Sequence, residues 1–210
     1  LGDVYKRQII SRTGFTNELG WEIYFRPENN AEKIGDLILS EGKNMGMILT
    51  ATPSFRGRRI EAGLLSAGQD FDRNTNPFSV GLGKFVDLDK KDFIGKKALS
   101  NVEKKCRTWG LRVKENVALK GENIFSNNKV IGRVTSSTWS PFQVCGVAII
   151  HLNNDQFGPS SVIDVKCSDG KIYKGEICSL PMYDEKNEIV RGLIENIPTK
   201  PEPWPGIQTK

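Results

Sequence analysis

The 210-residue sequence predicts an α+β protein, with helices in its first half and a small all-β barrel in its second. Three observations carry that reading. Apolar residues recur at helical spacing through Ala31, Ile34, Leu37 and Ile38, and again through Ile60, Leu64 and Leu65. From Cys106 onward the pattern changes to short alternating runs, as strands require. Asp169-Gly170 and Asn127-Asn128 stand beside such runs as hairpin signals.

Taken in order, Leu1 to Gln8 (LGDVYKRQ) has neither an initiator Met nor the apolar stretch of a signal peptide, and reads as a non-native scar before a start in mid-protein. Trp21 to Phe25 alternates as a strand and Arg26-Pro27 stops it. On that strand Trp21 and Phe25 share one face, Tyr24 takes the other, and Phe25 is expected in the core. The helix that follows is capped by Asn29 or Asn30 and ended by Gly42. Thr52-Pro53 supplies an N-cap and first-turn proline for a second helix. Asp70 to Pro77 is turn-rich, and Val80 to Leu88 reads as extended, with Gly81 and Gly83 marking a bend or a close approach to a ligand. Ile94, Leu99 and Val102 mark one more helix.

The barrel strands are expected at 109–113, 130–134, 144–150, 162–165 and 172–178, with closure hiding their edges. Residues 9–105 thus form the first domain, 106–194 the barrel, and 195–210 a Pro-rich surface tail with Trp204 as an anchor.

Thirty basic residues against twenty-five acidic ones leave +5, spread without a dense block. No zinc finger or recognition-helix pattern accompanies the charge, so nucleic acid is not an expected partner. The longest apolar stretch, Val144 to Ile150, is far below the roughly 20 residues of a spanning helix, so a membrane is not expected either. Cys106, Cys145, Cys167 and Cys178 form no Cys-x-x-Cys pair, and His151 is the single histidine, so no metal is expected. Scattered thiols of this kind suit buried small hydrophobes of a cytoplasmic protein.

The informative segment is Arg12-Thr13-Gly14-Phe15-Thr16-Asn17-Glu18-Leu19-Gly20-Trp21-Glu22-Ile23-Tyr24. It resembles the signature of the folate-dependent aminomethyltransferase family, which includes the glycine cleavage T-protein and dimethylsulfoniopropionate demethylase. Asn17 stands where the pattern has glycine. Arg59-Ile60-Glu61-Ala62-Gly63, Asn76-Pro77-Phe78 with Gly81-Leu82, and Asp92 to Leu99 continue the likeness in the same order. Residues 130–136, Ser140-Pro141 and 146–149 resemble the family's last domain. Residues 63–72 and 81–89 look closer to the demethylase than to the T-protein, so the resemblance implies a protein most like the demethylase, with the T-protein as the alternative that the Thr-x-Glu-x-Gly pattern at Glu18 supports. The Arg-Asp pair of T-proteins is not reproduced near Phe55 and Arg56.

The resemblance implies the remainder of an α/β, ferredoxin-like, folate-binding domain over 9–105, followed by a C-terminal barrel. It implies tetrahydrofolate as cofactor, and Glu18 as the carboxylate that accepts from the pterin N–H and amino edge. A strand-capping surface glutamate is the plainer account of Glu18. Phe15, Trp21 and Tyr24 are candidates to line a flat or cationic ligand. Arg58 and Arg59 are candidates for folate carboxylates, or members of a solvated helical face. Trp139, expected in a loop between two strands, resembles a segment facing the folate channel.

The implied reaction passes a one-carbon unit from a small methyl or aminomethyl donor to N5 of tetrahydrofolate. A lipoyl carrier protein is the partner if the chain is T-protein-like. The family's catalytic Asp belongs to a first domain with no counterpart here, so the chain is expected to be a C-terminal fragment without turnover of its own. Other readings of the resemblance are the folate half of a dimethylglycine or sarcosine dehydrogenase, and a folate-binding iron–sulfur assembly protein. The Cys-containing signature of that last group is not found.

Overall fold

The computed structural model describes residues 9–27 and 30–194; residues 1–8, Asn29 and the Pro-rich tail with Trp204 lie outside the described residues. The chain is α+β, with a two-stranded ribbon and helices followed by a closed six-stranded barrel. Strands β1 (Ile9–Ser11) and β2 (Glu22–Tyr24) pair antiparallel with Ile10 opposite Ile23. The second strand is shorter than the alternation over 21–25 predicts.

Helix α1 (Ala31–Lys43) is capped by Asn30, whose side chain accepts from the Lys33 N–H at 2.9 Å. It passes through Gly42 rather than ending there. Gly42 is buried against Met47, where a Cβ would meet the methionine Cε at 2.5 Å, so packing explains this glycine. Helix α2 (Thr52–Glu61) starts one residue earlier than Thr52-Pro53 predicts, on Ala51, which makes no side-chain cap.

Phe25 is 41% exposed, and Leu37 and Ile38 of α1 are exposed too, because no described element packs over them. Residues 81–85 are not extended: Gly81 takes φ +76° in a turn, and Gly83–Phe85 forms one turn of 3₁₀ helix against the Phe78 ring. Helix α3 is the short Lys96–Ser100.

The barrel strands are β3 (Thr108–Val113), β4 (Asn123–Ser126), β5 (Lys129–Ser140), β6 (Cys145–Leu152), β7 (Val162–Lys166) and β8 (Ile172–Cys178), closing in the order β3-β6-β5-β4-β7-β8. Asn127 and Asn128 take φ +48° and +61°, the pair of left-handed residues that a tight β4–β5 hairpin needs. Strand β4 was too short and polar for its alternation to register. Strand β5 runs six residues further than expected because Thr135, Ser136 and Ser140 point their hydroxyls into buried positions. Trp139 therefore lies within a strand, not in a loop.

The barrel core gathers Leu111, Val113, Ile124, Val134, Ala148, Ile150, Leu152, Ile163, Val165 and Ile177. A second cluster joins Val147 and Ile149 to Ile60, Cys145, Cys178 and Met182. Strand β6 is thus apolar at successive positions because both its faces are covered, one by the barrel and one by α2. Replacing Ile60 by Ala would cost about 2–5 kcal/mol.

Candidate functional site

The Arg12–Tyr24 segment folds as a turn joining β1 to β2. Asn17 takes φ +57°, a conformation open to glycine and, among other residues, best tolerated by Asn and Asp. This places Glu18 beside α2, 40 residues further along the chain. Phe15 stacks on Phe55 of α2 with ring centroids 5.6 Å apart.

Arg58 is the meeting point. Its Nη2 donates to Glu18 and its Nη1 to Glu61, and its guanidinium carbon lies 4.1 Å from the Phe142 ring centroid and 4.8 Å from that of Tyr183. The Arg58 side chain is 14% exposed and that of Glu61 only 1%. Burial pushes the Glu61 carboxyl up from its ordinary range, with Arg58 acting in the opposite direction. Burial likewise raises the Tyr183 hydroxyl. Among the described residues the second Glu18 oxygen accepts no hydrogen bond, and Asn17 Nδ2 and Arg58 Nε are buried without a partner. A free carboxylate oxygen and orphaned donors beside aromatic rings suit a flat, polar-edged ligand.

Arg59 points elsewhere. Its Nη1 bonds to Asp70 at 2.7 Å and to the Leu64 carbonyl at 3.0 Å, and its Nη2 to Ser136 Oγ at 2.8 Å. It is 3% exposed, so it belongs neither to a solvated face nor to the set around Glu18. Asp70 also accepts from Thr135 and Ser136, both at 2.6 Å, and from the Ser66 N–H at 2.9 Å.

Trp21 is exposed under the Arg12 guanidinium, 5.0 Å from its ring centroid, and Tyr24 bonds Glu22 at 2.9 Å. Both stay on the ribbon. Trp139 alternates with Thr138, which faces Gly57 of α2, and so points to the opposite face of β5. The structure thus brings together Phe15, Glu18 and Arg58 and leaves Trp21, Tyr24, Arg59 and Trp139 apart from that cluster. Sequence reasoning missed Glu61, Phe142 and Tyr183 as members. Glu61 carried a signal, since it lies one helical turn from Arg58 inside a matched segment.

His151 sits at the end of β6, its Nδ1 2.9 Å from Thr108 Oγ1. All four cysteines are free thiols, three of them buried. Among the described residues no cluster of three or more His, Cys, Asp or Glu could hold a metal, and no helix is long and apolar enough to cross a membrane.

The family model of the GCVT N-terminal domain matches residues 4–90, and that of the glycine cleavage T-protein C-terminal barrel domain matches residues 107–184. The aminomethyltransferase of Halothermothrix orenii is 33% identical over 177 residues, covering 82% of this chain and 49% of that protein. The aminomethyltransferase of Aquifex aeolicus is 32% identical over 183 residues, covering 85% and 49% respectively. A crystal structure of the glycine cleavage system aminomethyltransferase T from Bartonella henselae superposes with a TM-score of 0.75 at 25% identity, covering 86% of this chain and 51% of that one. The chain spans about half the length of the curated relatives it matches.

Proposed function

The chain belongs to the folate-dependent aminomethyltransferase family, and on that premise we propose that its protein transfers an aminomethyl group from a small-molecule donor to tetrahydrofolate. The observation that carries the proposal is the Glu18 carboxylate with one oxygen free, held by Arg58, whose guanidinium rests on the Phe142 and Tyr183 rings. Bound there, tetrahydrofolate would supply the nucleophilic N5 that takes up the one-carbon unit. Glu18 would accept from the pterin N–H and amino edge, which fixes the ring plane. Phe15 and Phe55 would cover apolar ring surface, and the β1–β2 turn would exclude water from one side.

Residues 9–105 then serve as the folate-binding part and 106–194 as the barrel that braces it. A lipoyl carrier protein is the partner this reading implies, and the cytoplasm, with its reduced thiols, the compartment. Arg59 and Trp139 are given no ligand contact, Arg59 because Asp70 and Ser136 already occupy its guanidinium. A second reading, demethylation of a sulfonium donor, is supported by the likeness of residues 63–72 and 81–89. The names of the matching relatives favour aminomethyl transfer.

Calorimetric titration of tetrahydrofolate into the full-length protein, with Glu18→Gln beside the native sequence, tests the proposal. A charge-assisted bond predicts a loss of about 1.5–3 kcal/mol in the variant. Native binding that Glu18→Gln leaves unchanged would remove Glu18 from the site, and no native binding would remove the folate reading.

A further inference from the structure

Arg58 has four partners, and they are not equivalent. Glu61 lies on the same helix and is buried. Phe142 follows β5, and Tyr183 follows β8; the N–H groups of Met182 and Tyr183 bond to the Glu61 carbonyl at 2.8 and 3.1 Å. These three partners belong to the packed body of the protein. Glu18 belongs to the β1–β2 turn, and its side chain is 29% exposed. The guanidinium is therefore anchored from three directions and reaches out to the fourth.

We propose that Arg58 is a positioning residue: it fixes the Glu18 carboxylate in place for a ligand and does not touch the ligand itself. The identity of that ligand rests on the folate reading above, but the clamp does not. A planar guanidinium can donate along two directions at once, here Nη1 to Glu61 and Nη2 to Glu18, while its faces rest on two rings. A lysine ammonium at the same place would have no such fixed fork.

Other contacts tether the turn as a whole: Phe15 on Phe55, and Arg12 Nη2 donating to the Val190 carbonyl at 3.2 Å. Among the described residues, only Arg58 bonds to the Glu18 carboxylate. Holding that group still before binding removes an ordering cost from the binding step. Glu61 acts at one remove, because it holds Arg58 and has no hydrogen bond or ion pair to the turn among the described residues.

The test combines amide hydrogen exchange over residues 13–20 with tetrahydrofolate titration, on the native chain and on Arg58→Met, Arg58→Lys and Glu61→Gln. The proposal expects Arg58→Met to speed exchange at residues 16–20 by about tenfold or more while the barrel strands keep native protection. Glu61→Gln should speed the same amides, and should add nothing once Arg58 is already Met. Arg58→Lys should bring exchange part of the way back to the native rate. Affinity for tetrahydrofolate should fall in step with the exchange, by about tenfold in Arg58→Met. Native exchange at 16–20 in Arg58→Met would overturn the clamp, as would faster exchange with undiminished tetrahydrofolate affinity. If the native chain takes up no tetrahydrofolate, the folate reading fails and the exchange comparison alone decides the clamp. Should Arg58→Met not fold, Arg58→Lys and Glu61→Gln carry the same comparison.

Discussion

Asp70 accepts four hydrogen bonds, from Arg59, Ser66, Thr135 and Ser136, with its side chain fully shielded from water. Removing the charge leaves Arg59 buried without its counter-ion, so Asp70→Asn should lose about 3–5 kcal/mol, read as a lower denaturant midpoint at unchanged slope. His151 offers a pH-dependent counterpart. Burial, and then the charges of Arg133 and Arg107, lower its imidazole from the ordinary 6.5. Folding therefore favours the neutral ring. The stability this contributes is complete above about pH 6.5 and declines as pH falls through the lowered value. His151→Gln should flatten that decline in denaturant midpoints measured between about pH 7 and pH 5. Neither role was legible beforehand. Asp70 stands in a polar, turn-rich stretch where an aspartate ordinarily meets water, and only the fold brings Thr135 and Ser136 to it.

At the scale of elements, α2 and β6 position the site. Strand β6 was legible because Cys145 to Ile150 run without a polar side chain, as a strand covered on both faces requires. Strand β5 was legible over its first half only. Its continuation, Thr135 to Ser140, is polar by composition, and nothing local announces that its hydroxyls turn inward to a helix. The start of β6 is also tightly constrained: a Cβ on Gly146 would lie 2.0 Å from the Asn116 carbonyl oxygen. Gly146→Ala must push two backbones apart, and an expected cost of about 1–3 kcal/mol should appear as a lower thermal midpoint with the barrel's circular dichroism retained.

Across the whole molecule, stability is unevenly distributed. The barrel is closed and its core residues are almost completely buried, while β1 and β2 are three residues each, mostly exposed and, among the described residues, paired with one another alone. Native-state hydrogen exchange should therefore rank β3, β5 and β6 as the slowest elements, with the β1–β2 ribbon faster than any of them. Uniform protection across both would contradict this. The fold class, the barrel and its hairpins were readable from periodicity and turn residues, which are local signals. Phe15 and Glu18 stood out because they lie in a motif, and Arg58 because it adjoins one. Phe142 and Tyr183 did not, since each lies far from Arg58 in sequence and meets it only through closure of the barrel.

Arg58 and Arg59 are neighbours on α2, and successive helical residues point about 100° apart. One faces the Glu18 turn and the other the interior of the molecule. A helix rotated by a single residue so that Arg59 met Glu18 would turn Ile60 to the place of Arg59, beside Asp70 and Ser136. Ile60 would then leave the cluster with Val147 and Ile149, and Asp70 would lose its counter-ion. The phase of this cationic helix is thus set jointly by its apolar neighbour and by a carboxylate shut away from water.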